Sequence, residues 1–384
     1  MIVTSTRADW GLLRPVARRI QNTEGLSLFL AVTGTHLLAD FGATVSEIKA
    51  DGFEPGAQID IMKFGFDQAG TARTIAYTIE KFTDLLETVR PDILLLLGDR
   101  YEIFAVATAA SALSVPIAHI SGGDVTTGAK DDFYRHCISK MAAVHFPSCA
   151  DSAQRLIQLG EEPDRVFNVG GLGNENIKNV QLMPLNRLEE SLEFKNLVPF
   201  ALITYHPETQ KDESPRRDME NLFSALDKTD LNLIFTKSNA DAGGRLINRM
   251  VDEYCAKNSR RAKAFYSLGL KRYLSAMKYT RVVIGNSSSG VVETPAFGTP
   301  TVNIGDRQKG RFIAENVICT TTRRQDILDG VQKALSEQFR QRCKNVTNPY
   351  DAGCKTSEKI AEILRDFPLG KLQRGKVFHD IKGE

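Results

Sequence analysis

Short apolar runs alternate with helix-patterned segments along almost the whole chain, and this rhythm restricts the fold more than any other feature. An apolar run bounded by polar turns reads as a strand buried on both faces, which needs helices above and below it. In the first half such runs fall at residues 2–4, 27–32, 93–97, 117–120, 144–146 and 166–169, with helical patterns at 11–21, 102–113 and 133–141. After Gly170-Gly171-Leu172-Gly173 the pattern restarts, with runs at 201–204, 233–236, 264–265, 282–284 and 301–304. The class predicted is α/β: two Rossmann-like, doubly wound domains facing a cleft into which strand C-termini deliver the chemistry. A chain of 384 residues is long enough to fill two cores. The expected boundary is the glycine-rich turn, giving an N-terminal domain over 1–172 and a C-terminal, nucleotide-binding domain over 173–354. A last helical pattern at 357–365, within the segment 355–384, is expected to cross back onto the first domain.

Composition closes off several function classes. The chain is 42% hydrophobic and 25% charged with a formal net charge of +2, and no basic block marks a nucleic-acid partner. Six cysteines are scattered without a Cys-x-x-Cys pair, which argues against a disulfide framework or a structural zinc site. No apolar stretch approaches membrane-spanning length. With a start in the strand-like Ile2-Val3-Thr4, these features predict a cytoplasmic protein without a signal peptide and without a membrane partner.

The stretch Gly285-Asn286-Ser287-Ser288-Ser289-Gly290-Val291-Val292-Glu293-Thr294-Pro295 follows the run 281–284. A strand ending in Gly-Asn and then three serines opening a helix make an anion site from backbone N–H groups, helix dipole and hydroxyls. One turn further, Glu293 is placed to accept hydrogen bonds from a ribose diol. Together they point to a nucleoside diphosphate held without a Walker lysine. A single serine would be no more than a helix cap; three with an inward glutamate favour binding.

Other candidates follow predicted strands. Arg7, in the turn opening the first helix, suits a phosphate or carboxylate as a bidentate donor, or is a solvated arginine beside a capping Asp9. Asp99 stands at the mouth of the run 93–97, placed for acid–base work; with Glu102 it also reads as an aspartate version of a capping box. Asp124 follows the paired glycines 122–123, and Asp131 opens Asp131-Asp132-Phe133-Tyr134-Arg135-His136. There Asp131 with Arg135 and Asp132 with His136 are also plain i,i+4 ion pairs. His206, before Pro207, suits a departing phosphate or a helix entry. Asn239 and Arg307 lie in further polar turns after strands, the latter in a basic turn fit for a diphosphate. There is no G-x-x-x-x-G-K-[ST], no G-x-G-x-x-G after the first strand, and no His/Cys/carboxylate cluster with metal-ligand spacing.

Taken in order, these motifs resemble the UDP-N-acetylglucosamine 2-epimerases, and the hydrolysing branch of sialic-acid-type pathways in particular. The resemblance runs from Thr6-Arg7-Ala8-Asp9 through Leu97-Gly98-Asp99-Arg100, 131–136, His206-Pro207-Glu208-Thr209 and 285–293 to Gly305-Asp306-Arg307-Gln308. It implies a GT-B-like fold, a nucleotide-sugar substrate, no organic cofactor, no obligatory metal, and a homodimer or higher homo-oligomer. It also implies elimination of UDP from UDP-N-acetylglucosamine to a 2-acetamidoglycal, then hydration to N-acetylmannosamine. By position Asp99 and Asp131 match the family's catalytic carboxylates. His206, Arg7, Ser287, Ser288 and Ser289 match diphosphate contacts, and Glu293 the ribose contact.

Three departures stand out. Ser121 occupies the place of a catalytic glutamate, which leaves Asp124, His119 or a bound water as its replacement. Ser5 replaces the usual glycine of the first turn, and the first strand starts a few residues short. The change at Ser121 leaves a second substrate open: UDP- or GDP-linked 2,4-diacetamido-2,4,6-trideoxyglucose of the legionaminic acid pathway. Two other classes are weighed against a hydrolysing epimerase. One is a non-hydrolysing epimerase or GT-B glycosyltransferase, which the segments 131–136 and 305–311 resemble less. The other is a nucleotide-binding protein without catalysis, which the retained Asp99, Asp131 and His206 argue against.

Overall fold

Two wholly parallel six-stranded sheets carry the chain, in a computed structural model that describes residues 1–127, 130–208, 215–238, 243–353, 355–373 and 375–381. The first contains β1 (Ile2–Thr4), β2 (Leu30–Thr33), β3 (Ala57–Ile59), β4 (Leu94–Leu97), β5 (Ile117–Ile120) and β6 (Val144–Phe146), ordered β3-β2-β1-β4-β5-β6. The second contains β7 (Phe200–Thr204), β8 (Asn232–Thr236), β9 (Ala262–Phe265), β10 (Val282–Gly285), β11 (Thr301–Ile304) and β12 (Val317–Thr320), ordered β12-β11-β10-β7-β8-β9. Each sheet winds outward from its first strand in one direction, then restarts in the other. The reversals fall between β1 and β4 and between β7 and β10. In such sheets a crevice opens outside the strand C-termini at the reversal, and ligands bind there.

Residue alternation explains why helices cover both faces. Along β4, Leu95 and Leu97 join the core around Trp10, Leu13 and Val16, while Leu94 and Leu96 join the one around Phe82, Leu86 and Ile103. In the second sheet Ala201 and Ile203 face Met219, Leu222 and Ile247, whereas Phe200 and Leu202 face Leu188, Ala276 and Met277. Each fully buried side chain of this kind contributes about 1.5–3 kcal/mol. That burial holds the strand ends, and the loops that follow them, in place.

The chain divides into two compact units. One comprises Met1–Asp124, Asp131–Asn176 and Tyr350–Glu384; the other comprises Val125–Lys130 and Ile177–Pro349. In the first unit the helix Thr356–Asp366 packs on the helix Arg7–Gln21, with Ile360 and Ala361 in the core of Trp10 and Leu13. None of the helices among the described residues is long and apolar enough to cross a membrane.

The sequence expectations need three corrections. Residues 166–169 are no strand: Val166 makes one isolated bridge to His145. The edge strands β3 and β12 were not expected: β3 is three partly exposed residues around Gln58, and the short apolar run Val317-Ile318-Cys319 of β12, also partly exposed, was passed over. The turn at Ser287 does not open a long helix. Ser289–Val292 is a single α-helical turn, and Thr294–Phe297 continues as a 3-10 turn.

Candidate functional site

In the first unit the reversal between β1 and β4 brings together the turns bearing Arg7 and Asp99. The β1 turn is ordered by a capping box: Asp9 accepts from the Thr6 amide at 3.0 Å, and the Asp9 amide donates to Thr6 Oγ1 at 3.3 Å. Ser5 Oγ adds a bond to Asp9 Oδ2 at 2.9 Å. Arg7 opens the helix and its Nε lies 2.9 Å from Glu47 Oε2, so it is an ion-paired arginine on a partly exposed rim.

Beyond β4, Gly98 turns the chain with φ +81°, a conformation suited to glycine, and delivers Asp99. The aspartate does not cap the next helix: its N-cap is Arg100, which makes no side-chain cap bond. Instead Asp99 Oδ2 accepts from Arg135 of the helix Asp131–Met141. Arg135 is 2% exposed and its Nη1 also lies 3.5 Å from Asp132. The other oxygen, Asp99 Oδ1, bonds to no protein group among the described residues, and about a quarter of the side chain (24%) is open to water. A carboxylate anchored through one oxygen and open at the other is the arrangement a proton acceptor needs.

His119 fixes this turn from below. Its Nε2 is 2.7 Å from the Gly98 carbonyl and its Nδ1 3.1 Å from Ser139 Oγ. A carbonyl only accepts, so Nε2 carries the hydrogen and Nδ1 accepts from Ser139. Burial pushes this imidazole down to about 3, leaving it neutral. His119 therefore serves as a strut rather than an acid. Ser121, two residues on, sits half-buried at φ +64°.

Asp131 begins the helix that supplies Arg135 and is half-buried. The phenol of Tyr134 is raised first by burial and then by the Asp131 charge. Asp132 lies 3.7 Å from His136 Nε2. Asp124 is buried, and its Oδ1 accepts from Ser148 Oγ at 2.9 Å and Ser152 Oγ at 2.6 Å. Those bonds tie the β5 loop to the start of the helix Ala150–Gln158.

In the second unit the reversal between β7 and β10 gathers His206, the serine turn and Glu293. Gly285 is irreplaceable there, because a Cβ would stand 1.9 Å from the Thr204 carbonyl oxygen at φ +133°. Asn286, fully buried, is the hub. Its Oδ1 accepts from the His206 amide at 2.7 Å and its Nδ2 donates to the His206 carbonyl at 2.8 Å. Its own carbonyl accepts from Arg307 Nη1 at 3.1 Å and Gln308 Nε2 at 2.9 Å. One asparagine thus locks the histidine turn to the Arg307 turn. Sequence reasoning gave Arg135 only an ion pair within its own helix and Asn286 only a place at the strand end, so neither the contact of Arg135 with Asp99 nor the clamp of Asn286 on His206 was foreseen.

The amides of Ser287, Ser288 and Ser289 donate to no protein acceptor among the described residues. With only one helical turn behind them, the dipole expected from the sequence is small, and any anion must rely on these amides and the hydroxyls. His206 is buried, with Nδ1 3.1 Å from Ser238 Oγ. Burial pushes the Glu293 carboxyl up to about 7. Asn239 lies outside the described residues.

Comparison with known proteins identifies the family. The family model described as UDP-N-acetylglucosamine 2-epimerase matches residues 18–365. A Campylobacter jejuni protein named GDP/UDP-N,N'-diacetylbacillosamine 2-epimerase (hydrolyzing) is 42% identical over 341 residues, 88% of each chain. A polysialic acid biosynthesis protein of Escherichia coli is 35% identical over 99% of this chain and 97% of that one. A Legionella pneumophila protein named UDP-N,N'-diacetylbacillosamine 2-epimerase (hydrolyzing) is 35% identical over 96% of this chain and 95% of that one. Among solved structures, the Neisseria meningitidis UDP-GlcNAc 2-epimerase bound to UDP-GlcNAc superposes with a TM-score of 0.79 at 17% identity, covering 94% of this chain and 98% of that one. Fold, family model and relatives agree: the chain belongs to the UDP-N-acetylglucosamine 2-epimerase family.

Proposed function

We propose that the protein is a hydrolysing 2-epimerase of a UDP- or GDP-linked 2,4-diacetamido-2,4,6-trideoxyglucose, the sugar also called N,N'-diacetylbacillosamine. The observation that carries the reaction is the Asp99 carboxylate, anchored by buried Arg135 and open at Oδ1. The substrate rests on relatives at 42% and 35% identity, both named for that sugar. UDP-N-acetylglucosamine, which the sequence resemblance put first, is the second reading; the relative named for polysialic acid biosynthesis favours it.

The C2 hydrogen of such a sugar has no adjacent carbonyl to acidify it, so its removal is coupled to loss of the nucleotide. Asp99 takes the C2 proton as the C1–O bond to the diphosphate breaks, forming the C1=C2 bond of a 2-acetamidoglycal. Water then adds its oxygen to C1, and a proton returns to C2 on the opposite face. Products are the free sugar in the manno configuration and the nucleoside diphosphate. Asp131 is assigned the second proton transfer, which Ser121 is too weak an acid to perform at neutral pH. In the second unit the Ser287–Ser289 hydroxyls, His206 and Arg307 stabilise the leaving diphosphate, and Glu293 accepts from the ribose. Arg7, now paired with Glu47, is assigned to the diphosphate as well.

The test is incubation with UDP- and GDP-linked 2,4-diacetamido-2,4,6-trideoxyglucose and, separately, UDP-N-acetylglucosamine, in deuterated water with products read by NMR. Free manno sugar carrying deuterium at C2 from a diacetamido substrate supports the reading. Turnover of UDP-N-acetylglucosamine alone replaces the substrate, and no turnover of any removes the reaction. Asp99→Asn is expected to lose turnover while nucleotide affinity stays within a few-fold, and a fully active variant excludes Asp99 as the base.

A further inference from the structure

Behind the serine turn runs a row of hydroxyls whose inner members the reaction above does not use. Thr204 Oγ1 and Thr236 Oγ1 meet across β7 and β8, where the two residues are paired in register. The Thr204 hydroxyl also adjoins the phenol of Tyr273, from the helix Gly269–Tyr279. On its other side Tyr273 OH lies 2.5 Å from Ser289 Oγ, and Ser289 Oγ lies 3.2 Å from Ser287 Oγ. The row therefore reads Thr236, Thr204, Tyr273, Ser289, Ser287, from inside the sheet to the turn with the undonated amides.

Each hydroxyl has one hydrogen and two lone pairs, so an empty row can point its hydrogens either way. A phosphate oxygen at the turn accepts only, and selects the direction in which the hydrogens run outward from the sheet. Each donor then also accepts from the group behind it, which strengthens every bond in the series. The inner end is stiff, since the two threonines are β-branched and fixed in strands. Among the described residues, Tyr273 joins that end to the serines. Burial first, and then the Glu293 charge, raises its phenol to about 12, so at neutral pH it keeps the hydrogen the row requires.

We propose that Tyr273 is a positioning residue for the diphosphate: it links Thr204 and Thr236 to Ser289, so that the hydrogens run outward through Ser289, and Ser287, at the end of the row, donates to a phosphate oxygen of a bound nucleoside diphosphate. The inference rests on the serine turn being the diphosphate contact. Its signature is selective, because the phenol hydrogen-bonds to Ser289 and Thr204 and feels Glu293, the proposed ribose contact, only through its charge.

The experiment titrates the full-length protein with UDP, GDP and the corresponding nucleosides by calorimetry, with the nucleosides measured by displacement. Tyr273→Phe keeps the ring and removes the hydroxyl. It is expected to weaken the preferred diphosphate about tenfold, leaving nucleoside affinity and Tm nearly unchanged. Thr204→Val, which preserves shape one link further back, is expected to weaken it two- to threefold, and decides the matter should Tyr273→Phe not fold. Unchanged diphosphate affinity, or equal loss for diphosphate and nucleoside, overturns the relay while leaving the serine turn as the diphosphate site. A wild-type protein that binds neither diphosphate overturns that site and the relay together.

Discussion

Glu293→Gln tests whether the proposed ribose contact is held at a cost to the fold. In the folded chain burial raises this carboxyl from 4.5 to about 7. The native state therefore retains a proton over a pH range where the unfolded chain has released it. Below pH 4.5 both states are protonated and no penalty exists; between 4.5 and 7 it grows; above about 7 it is complete. At ~1.4 kcal/mol per pH unit the full effect is ~3 kcal/mol. Part of the side chain still meets water, so ~2 kcal/mol is the better expectation. Glutamine has the same shape without the charge. Urea unfolding of both proteins at pH 4.5 and pH 8 should show near-equal stability at the lower pH and a variant more stable by about 2 kcal/mol at the higher. Calorimetry with UDP or GDP should show the same variant binding the nucleotide several-fold more weakly. A stability difference that does not change with pH refutes the buried-charge argument, and unchanged nucleotide affinity refutes the ribose assignment.

Gly285→Ala is expected to lose about 4 kcal/mol or more, since its Cβ would stand 1.9 Å from the Thr204 carbonyl oxygen; a thermal melt within a few degrees of wild type contradicts this. Glu161, fully buried beneath Lys140, His145 and Lys376, is the opposite case to Glu293. Burial acts to raise it, but the bonds from His145, Lys376 and Lys140 outweigh burial and hold it at about 2. Its stabilisation is thus present above about pH 4.5 and is lost as pH falls towards 2. Glu161→Gln should destabilise the protein at pH 7 and flatten its acid-unfolding curve, and parallel curves for the two proteins count against the cluster.

Much of the fold was legible because buried parallel strands advertise themselves. The runs at 2–4, 117–120, 144–146 and 301–304 coincide with β1, β5, β6 and β11. The same rule failed at 166–169, where Val169 is buried in a core without pairing into the sheet, so apolarity reported burial rather than a ladder. It also missed β3, whose partly exposed edge carries no such run, and β12, whose run Val317-Ile318-Cys319 is brief and partly exposed. Strand order was not readable at all, yet it is what sets Arg7 beside the Asp99 turn and His206 beside the serine turn. Local motifs marked Asp99 and Arg135 separately, but their pairing spans 36 residues of sequence. The capping reading of Asp99 yielded to that contact because a buried guanidinium needs a charge partner more than a helix end needs a cap. Asn286 was hidden by its modesty: a buried side-chain amide that clamps both backbone groups of His206 looks, in a sequence, like any turn asparagine.

The discontinuity of the first unit has a consequence for synthesis. All six strands of its sheet leave the ribosome before any strand of the second. Yet Ile360, Ala361, Phe367 and Leu372, which cover Trp10, Leu13 and Val16, are translated only after residue 349, when the second unit is complete. Until then one flank of the older half lies bare, an apolar surface waiting for its cover. The half made first is thus the last to close, and the nascent chain carries an adhesive face through most of its time on the ribosome.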